Sequence, residues 1–233
     1  MARQKKQVTA GHLIFSAVYL LLWPAVLLFL SGDWYWTEGW IFGIWFIVMC
    51  IACGVYLYNR DPQLLAERYR LPGSGGQKKW DIGLLHLLAI IFIIWTFVMP
   101  LDAKRYECTR NFPDWLNMIG GIGLLPAVFF IYRSFTDNTY LSPLVRIQKE
   151  RKQKVITKGV YSMIRHPMYL GAILMFICTP LLLGSAYGII PGILLSFLLI
   201  FRIIGEEKML TEELKGYKEY KKKVKYRLVP FLW

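Results

Sequence analysis

Residues 168–204 read MYLGAILMFICTPLLL, then GSAY, then GIIPGILLSFLLIFRII. The two apolar runs, 168–183 and 188–204, approach the length of about 20 residues that crosses a bilayer. The turn Gly184-Ser185-Ala186-Tyr187 between them makes a membrane hairpin, with Pro180 and Pro191 on its flanks as sites for kinks. Four more runs precede it, at 12–30, 40–58, 82–101 and 115–135, with Pro24 inside the first. Composition agrees: of 233 residues, 56% are hydrophobic and 18% charged, and the mean hydropathy is +0.40. A soluble domain carries about 45–50% apolar and about 25% charged residues. The fold class expected is all-α, a polytopic membrane helix bundle of about six transmembrane helices. Little chain is left for a large extramembrane catalytic domain. The first run is too long for a cleaved signal peptide and lacks a small-residue cleavage site.

The formal net charge is +13, which by itself suggests nucleic acid. Its placement argues for topology instead. Of 28 Lys and Arg, 25 fall in the N-terminal tail (Arg3, Lys5, Lys6), the loop after the second run, the stretch 133–165 and the tail from Arg202. Only Lys104, Arg105 and Arg110 lie on the opposite side. By the positive-inside rule, six spans have both ends in the cytoplasm, and the basic surface meets anionic membrane lipids rather than nucleic acid.

The loops add detail. In the stretch 59–68, Asp61 is placed as a helix N-cap with Pro62 at the first helical position, and 71–76 is a Gly-rich connector. Beyond Glu207, Met209, Leu210, Leu214, Tyr217, Tyr220 and Val224 alternate with Lys and Glu. That pattern predicts a cytosolic C-terminal amphipathic helix lying on the leaflet, and the apolar end 228–233 is expected to fold back toward the spans. Cys50 and Cys53 have the spacing of a redox or zinc pair but sit in an apolar run with no partner pair. They read as buried small hydrophobes, with no disulfide framework and no metal. The chain divides into an N-terminal four-span region, 1–135, and a C-terminal catalytic region, 136–233, with the hairpin and cytosolic tail.

Ionisable groups concentrate where the hairpin opens. The start of one helix and the end of the other share a membrane face, so His166 and Tyr169 should approach Arg202, Glu206 and Glu207. Charges at a membrane edge are costly and point to function. Each also has a plainer reading: Arg165 as a snorkelling cation, Tyr169 as a belt aromatic, His166 as a cap before Pro167. Arg202 and Glu206, four residues apart, share a helical face and read as an ion pair.

Gly159-Val-Tyr161, Arg165-His-Pro-Met-Tyr169, Arg202, Glu206-Glu207, Gly216-Tyr217, Tyr220 and Val229-Pro-Phe231 resemble the isoprenylcysteine carboxyl methyltransferase family, membrane enzymes related to phospholipid methyltransferases. The likeness covers residues 145–233, with an echo in Pro62-Gln-Leu-Leu-Ala-Glu-Arg68. It implies S-adenosylmethionine bound at the cytosolic face and a lipid-embedded or prenylated acceptor entering from the bilayer. Carried over by position, the cofactor residues are Gln153, Lys154, Val155 and Ile156, then Tyr161, then His166, Pro167, Met168 and Tyr169, and finally Glu206. A family glutamine falls on Gln148. Arg202 matches the arginine that meets the acceptor carboxylate in a two-point grip, and Arg202, Glu206 and Glu207 form the expected catalytic set. Such a protein would lie in the plasma membrane of a prokaryote or the endoplasmic reticulum of a eukaryote.

Three other readings compete. A phospholipid or isoprenoid methyltransferase with an amine acceptor would need Glu207 or His166 as a base. A sterol-reductase-like enzyme would bind NADPH, and a non-catalytic membrane scaffold would need neither Arg202 nor Glu206. The charge asymmetry predicts that an impermeant thiol reagent applied outside intact cells labels Tyr106→Cys and leaves Gly75→Cys unlabelled in a cysteine-free background. Labelling at position 75 would invert the topology.

Overall fold

The computed structural model describes residues 8–233, and its regular structure is all helical, with no strand among the described residues. The tail cations Arg3, Lys5 and Lys6 lie outside the described residues. The helices are α1 (Ala10–Ser31), α2 (Thr37–Arg60), α3 (Pro62–Arg68), α4 (Lys79–Pro100), α5 (Asp114–Asp137), α6 (Pro167–Leu183), α7 (Ala186–Glu213) and α8 (Tyr217–Lys223). Each expected apolar run is a helix. Five of them are long and apolar enough to cross a membrane: α1, α2, α4 with its π-helical extension to Arg105, α5 and α7. The sixth, α6, has 17 residues, about 25 Å at 1.5 Å per residue. Pro167 sets its start and Gly184, in the left-handed region at φ 76, ends it. Ser185 then caps α7 through the Gly188 N–H, so the tight turn is two residues and Ala186 and Tyr187 are already helical.

The bundle packs by large aromatics and small residues. Trp23, Phe42, Phe46, Phe92, Trp95 and Phe176 interlock ring against ring between α1, α2, α4 and α6, and Trp23 Nε1 donates to Thr96 Oγ1 at 3.3 Å. Helices α5 and α6 approach closely because Gly120 has no side chain. A Cβ there would overlap the Leu182 amide nitrogen, the small-residue logic of membrane helix pairs. At the end away from the basic loops, buried Asp102 accepts from the Ser185 hydroxyl at 2.6 Å and the Tyr187 N–H at 3.1 Å. That contact joins the α4 extension to the hairpin turn.

At the opposite, basic end the chain between α5 and α6 forms a strap over the helix ends. As the sequence predicts, Asp61 caps α3 through the Leu64 N–H at 2.9 Å, with Pro62 at the first helical position. Asp61 also accepts from the Thr139 hydroxyl of the strap. Glu67 is buried and gathers Arg70, Arg146 and Ser142. Cys50 is half-buried and Cys53 buried on α2, and both are free.

Two expectations for the tail need correction. The apolar stripe after Glu207 is not one helix lying on the leaflet. Gly216, at φ 89, separates the end of α7 from α8, and Met209, Leu210, Tyr217, Tyr220 and Val224 are buried together with Val145 of the strap. The stripe is covered by protein because the strap supplies Val145, Ile147 and Val155 as its apolar counterpart. The end 228–233 does not fold onto the spans as a block either. Leu228 is buried, but Phe231 and Leu232 are exposed, and the segment turns on itself through Arg227 N–H to Trp233 O at 2.8 Å.

Candidate active site

Helix α7 has 28 residues, about 42 Å, and outruns a hydrocarbon layer of about 30 Å. Its last three turns, from Arg202, therefore stand at the basic end beside the strap and the start of α6. A cavity of about 480 Å³ opens between them and continues down among Trp23, Phe46, Phe92, Phe176 and Leu199. One end is thus polar loop and helix terminus, and the other is the aromatic interior of the bundle.

Most residues assigned from sequence line this cavity: Gln153, Lys154, Val155 and Ile156 on the strap, Tyr161, His166, Met168 and Tyr169 around the start of α6, and Arg202 and Glu206 on α7. Tyr169 donates its hydroxyl proton to Glu206 Oε2 at 2.6 Å. The Tyr161 hydroxyl is buried near the Asn138 and Ser134 side chains yet meets no partner at hydrogen-bonding geometry among the described residues. Burial pushes its phenol well above the usual range, so it stays protonated and is a donor without an acceptor.

Three assigned residues are absent from the cavity lining. Gln148 is fully buried in the strap, donating to Tyr140 O at 2.6 Å and accepting from Arg151. Pro167 is the first helical residue of α6. Glu207 lies on the next face of α7 and is buried in a cluster of cations. Arg165 donates to its Oε1 at 2.5 Å, His166 Nε2 lies 3.2 Å from the same oxygen, and Arg227 Nε donates to Oε2 at 2.9 Å. Arg165 also donates to the carbonyls of Val224 and Lys225, so it is a buried clasp on the C-terminal segment and not a snorkelling cation. His166 precedes α6 but makes no side-chain cap, and its own N–H donates to Arg227 O at 2.9 Å.

The expected Arg202–Glu206 ion pair gives way to a partner on another helix. Arg202 Nε donates to Asp81 Oδ1 at 2.7 Å and Nη2 to Asp81 Oδ2 at 3.2 Å. Nη2 also donates to Pro143 O at 2.6 Å. Asp81, fully buried near the start of α4, accepts in addition from Gln77 at 2.6 Å and from the Val145 N–H at 2.9 Å. The side-on fork of Arg202 is therefore filled from within, and its Nη1 edge makes no bond among the described residues. The sequence reading missed Asp81; the signal available was an acidic residue in the first turn of an apolar helix. Arg68, which charge counting places only among the topology charges, also lines the cavity.

Residues 117–217 match the profile of the family described as phospholipid methyltransferase. The chain is 26% identical over 140 residues to protein-S-isoprenylcysteine O-methyltransferase B of Arabidopsis thaliana, covering 59% of this chain and 68% of that protein. It is 33% identical over 132 residues to the protein-S-isoprenylcysteine O-methyltransferase of Xenopus laevis, covering 53% of this chain but only 46% of that protein. In fold it resembles the solved structure of a eukaryotic intramembrane Ras methyltransferase, isoprenylcysteine carboxyl methyltransferase, with a TM-score of 0.55 and 21% identity over 93% of this chain and 75% of that one. These findings bear out the resemblance read from the sequence, to the isoprenylcysteine carboxyl methyltransferases and their phospholipid methyltransferase relatives.

Glu207→Gln leaves Arg165 buried without its carboxylate, and breaking such a pair costs about 3–5 kcal/mol. Glu206→Gln loses part of one hydrogen bond, about 1 kcal/mol. Unfolding of the purified chain in detergent should therefore be far more sensitive to the first change. Equal losses would return Glu207 to the reacting set.

Proposed function

We propose that the chain is an integral membrane S-adenosylmethionine-dependent methyltransferase acting on the carboxylate of a prenylcysteine-like or other lipid-embedded acceptor. The observation that carries this reading is one continuous cavity that joins polar strap residues to the aromatic interior of the bundle. A charged donor and an apolar tail both need such a space, in contact with each other.

The residues present fit the donor molecule. The Tyr161 hydroxyl offers a hydrogen bond that nothing among the described residues accepts. Glu206, held on one oxygen by Tyr169, has the other for ribose hydroxyls or an ammonium group. The first turn of α6 presents the Met168 and Tyr169 N–H groups, which make no backbone bond among the described residues and suit a carboxylate at a helix start. Gln153, Lys154, Val155 and Ile156 wall the remaining side. When bound, the sulfonium supplies an electrophilic methyl group.

The protein's part is then positioning, which supplies several kcal/mol of such a barrier. An acceptor carboxylate is ionised near pH 7, so no side chain has to remove a proton. Arg202, fixed by Asp81, lines the cavity with its Nη1 unbonded among the described residues, and the aromatic interior receives the tail. The basic end would face the cytoplasm, at the plasma membrane of a prokaryote or the endoplasmic reticulum of a eukaryote. The family profile favours a second reading, a phospholipid amine as acceptor. An ammonium would have to lie among Arg68 and Arg202, and the carboxylate is the better electrostatic match.

Purified protein in nanodiscs should transfer labelled methyl from S-adenosylmethionine to N-acetyl-S-farnesylcysteine as a base-labile ester. Glu206→Gln and Tyr161→Phe should each weaken cofactor binding by about tenfold or less, as the loss of one hydrogen bond requires. Absence of base-labile product, with label found instead on lipid amines, would move the assignment to the second reading.

A further inference from the structure

Four arginines line the cavity, and three of them are answered by a buried carboxylate: Arg146 by Glu67, Arg165 by Glu207 and Arg202 by Asp81. Arg68 is the exception. Among the described residues its guanidinium has no carboxylate and no hydrogen-bond acceptor; its neighbour is the Phe135 ring, 5.2 Å from the guanidinium carbon to the ring centre. Its sequence neighbour Glu67 does not serve it, because adjacent residues on a helix do not face each other. The Glu67 carboxylate is instead taken by Arg70, Arg146 and Ser142.

The position of Arg68 makes the missing partner significant. Helix α3 is held by the Asp61 cap and by buried Leu64 and Leu65, which fixes the face that carries Arg68. Its surroundings include Arg202, Tyr169 and Cys53, and burial followed by the like charge of Arg202 lowers its pKa to about 10. A half-buried guanidinium on the cavity wall, beside another cation and with no hydrogen-bond acceptor among the described residues, is costly unless an anion completes it. Arg202 cannot fully take that role, since its fork is filled by Asp81 and one Nη2 bond goes to Pro143.

We infer that Arg68 is the residue that binds the carboxylate of the lipid-embedded acceptor, with the Nη1 edge of Arg202 beside it. This rests on the methyltransferase reading above. The planar fork of Arg68 is free for a two-point grip, and Tyr169, near both arginines, carries Glu206 of the cofactor wall. The acceptor carboxylate is thereby held next to the methyl donor, while its tail extends into the aromatic interior. The unmatched charge also discriminates against an amine head group.

The test is binding to the full chain in nanodiscs, with S-adenosylhomocysteine, N-acetyl-S-farnesylcysteine and the carboxamide of that acid as probes. Wild-type protein should prefer the acid to the amide by about tenfold or more, the range of a charge-assisted hydrogen-bonded pair. Arg68→Gln and Arg68→Met should each reduce that preference to about twofold while S-adenosylhomocysteine affinity stays within about twofold, which also reports an intact fold. Arg68→Lys should recover the preference only in part. An unchanged preference in Arg68→Gln overturns the assignment, as does a loss confined to S-adenosylhomocysteine, which would make the cofactor carboxylate the anion. An Arg68-dependent acid preference in a protein that binds no S-adenosylhomocysteine would support the assignment and sink the methyltransferase reading instead.

Discussion

The Asp81–Arg202 pair organises the basic end of the bundle. Asp81 is fully buried and receives Arg202 from α7, Gln77 from the connector and the Val145 N–H from the strap. One carboxylate therefore fixes the relative placement of α4, α7 and the chain that crosses between α5 and α6. Buried charge is tolerated only when paired and fully hydrogen-bonded, and every acceptor direction used here leads to a different part of the chain. Glu207 repeats the device nearby, binding Arg165 and Arg227 and so clasping the C-terminal segment against the start of α6.

Those two carboxylates consume the cations around them and thereby define what remains available. The cavity keeps Glu206 with one oxygen committed to Tyr169, the orphaned Tyr161 hydroxyl and the unmatched Arg68. A carboxylate and donors toward the strap suit a polar cofactor, and a cation nearer the helices suits an anionic acceptor. The apolar floor formed by Trp23, Phe46 and Phe176 suits hydrocarbon. On the methyltransferase reading proposed above, the cavity would separate the two ligands by polarity along one continuous space.

Much of this was legible in the sequence. Apolar runs gave the helices, and Asp61-Pro62 gave the start of α3, because cap chemistry is local. The hairpin placed Tyr169 against Glu206 because a two-helix turn constrains which ends meet. The lateral partners were not legible. Arg202 pairs with Asp81, 121 positions away, and an apolar run carries no record of which helix stands beside it. The short-range i, i+4 rule offered Glu206 instead and was overridden by a buried acid with better geometry. The stripe from Met209 to Val224 was read as lipid-facing because periodicity reports an apolar face but not its cover, which Val145 and its neighbours provide. Arg68 vanished into the loop charge count, since its importance lies in the partner it lacks.

The most direct measurement is a double-mutant cycle on the thermal unfolding of the purified chain, with Asp81→Asn, Arg202→Gln and the two combined. If the pair holds α4, α7 and the strap together, each single change costs about 3–5 kcal/mol by stranding its partner. The combined change should then cost no more than the worse single change, a coupling of about 3 kcal/mol or more. Additive losses would contradict the pairing as the organising contact of the site.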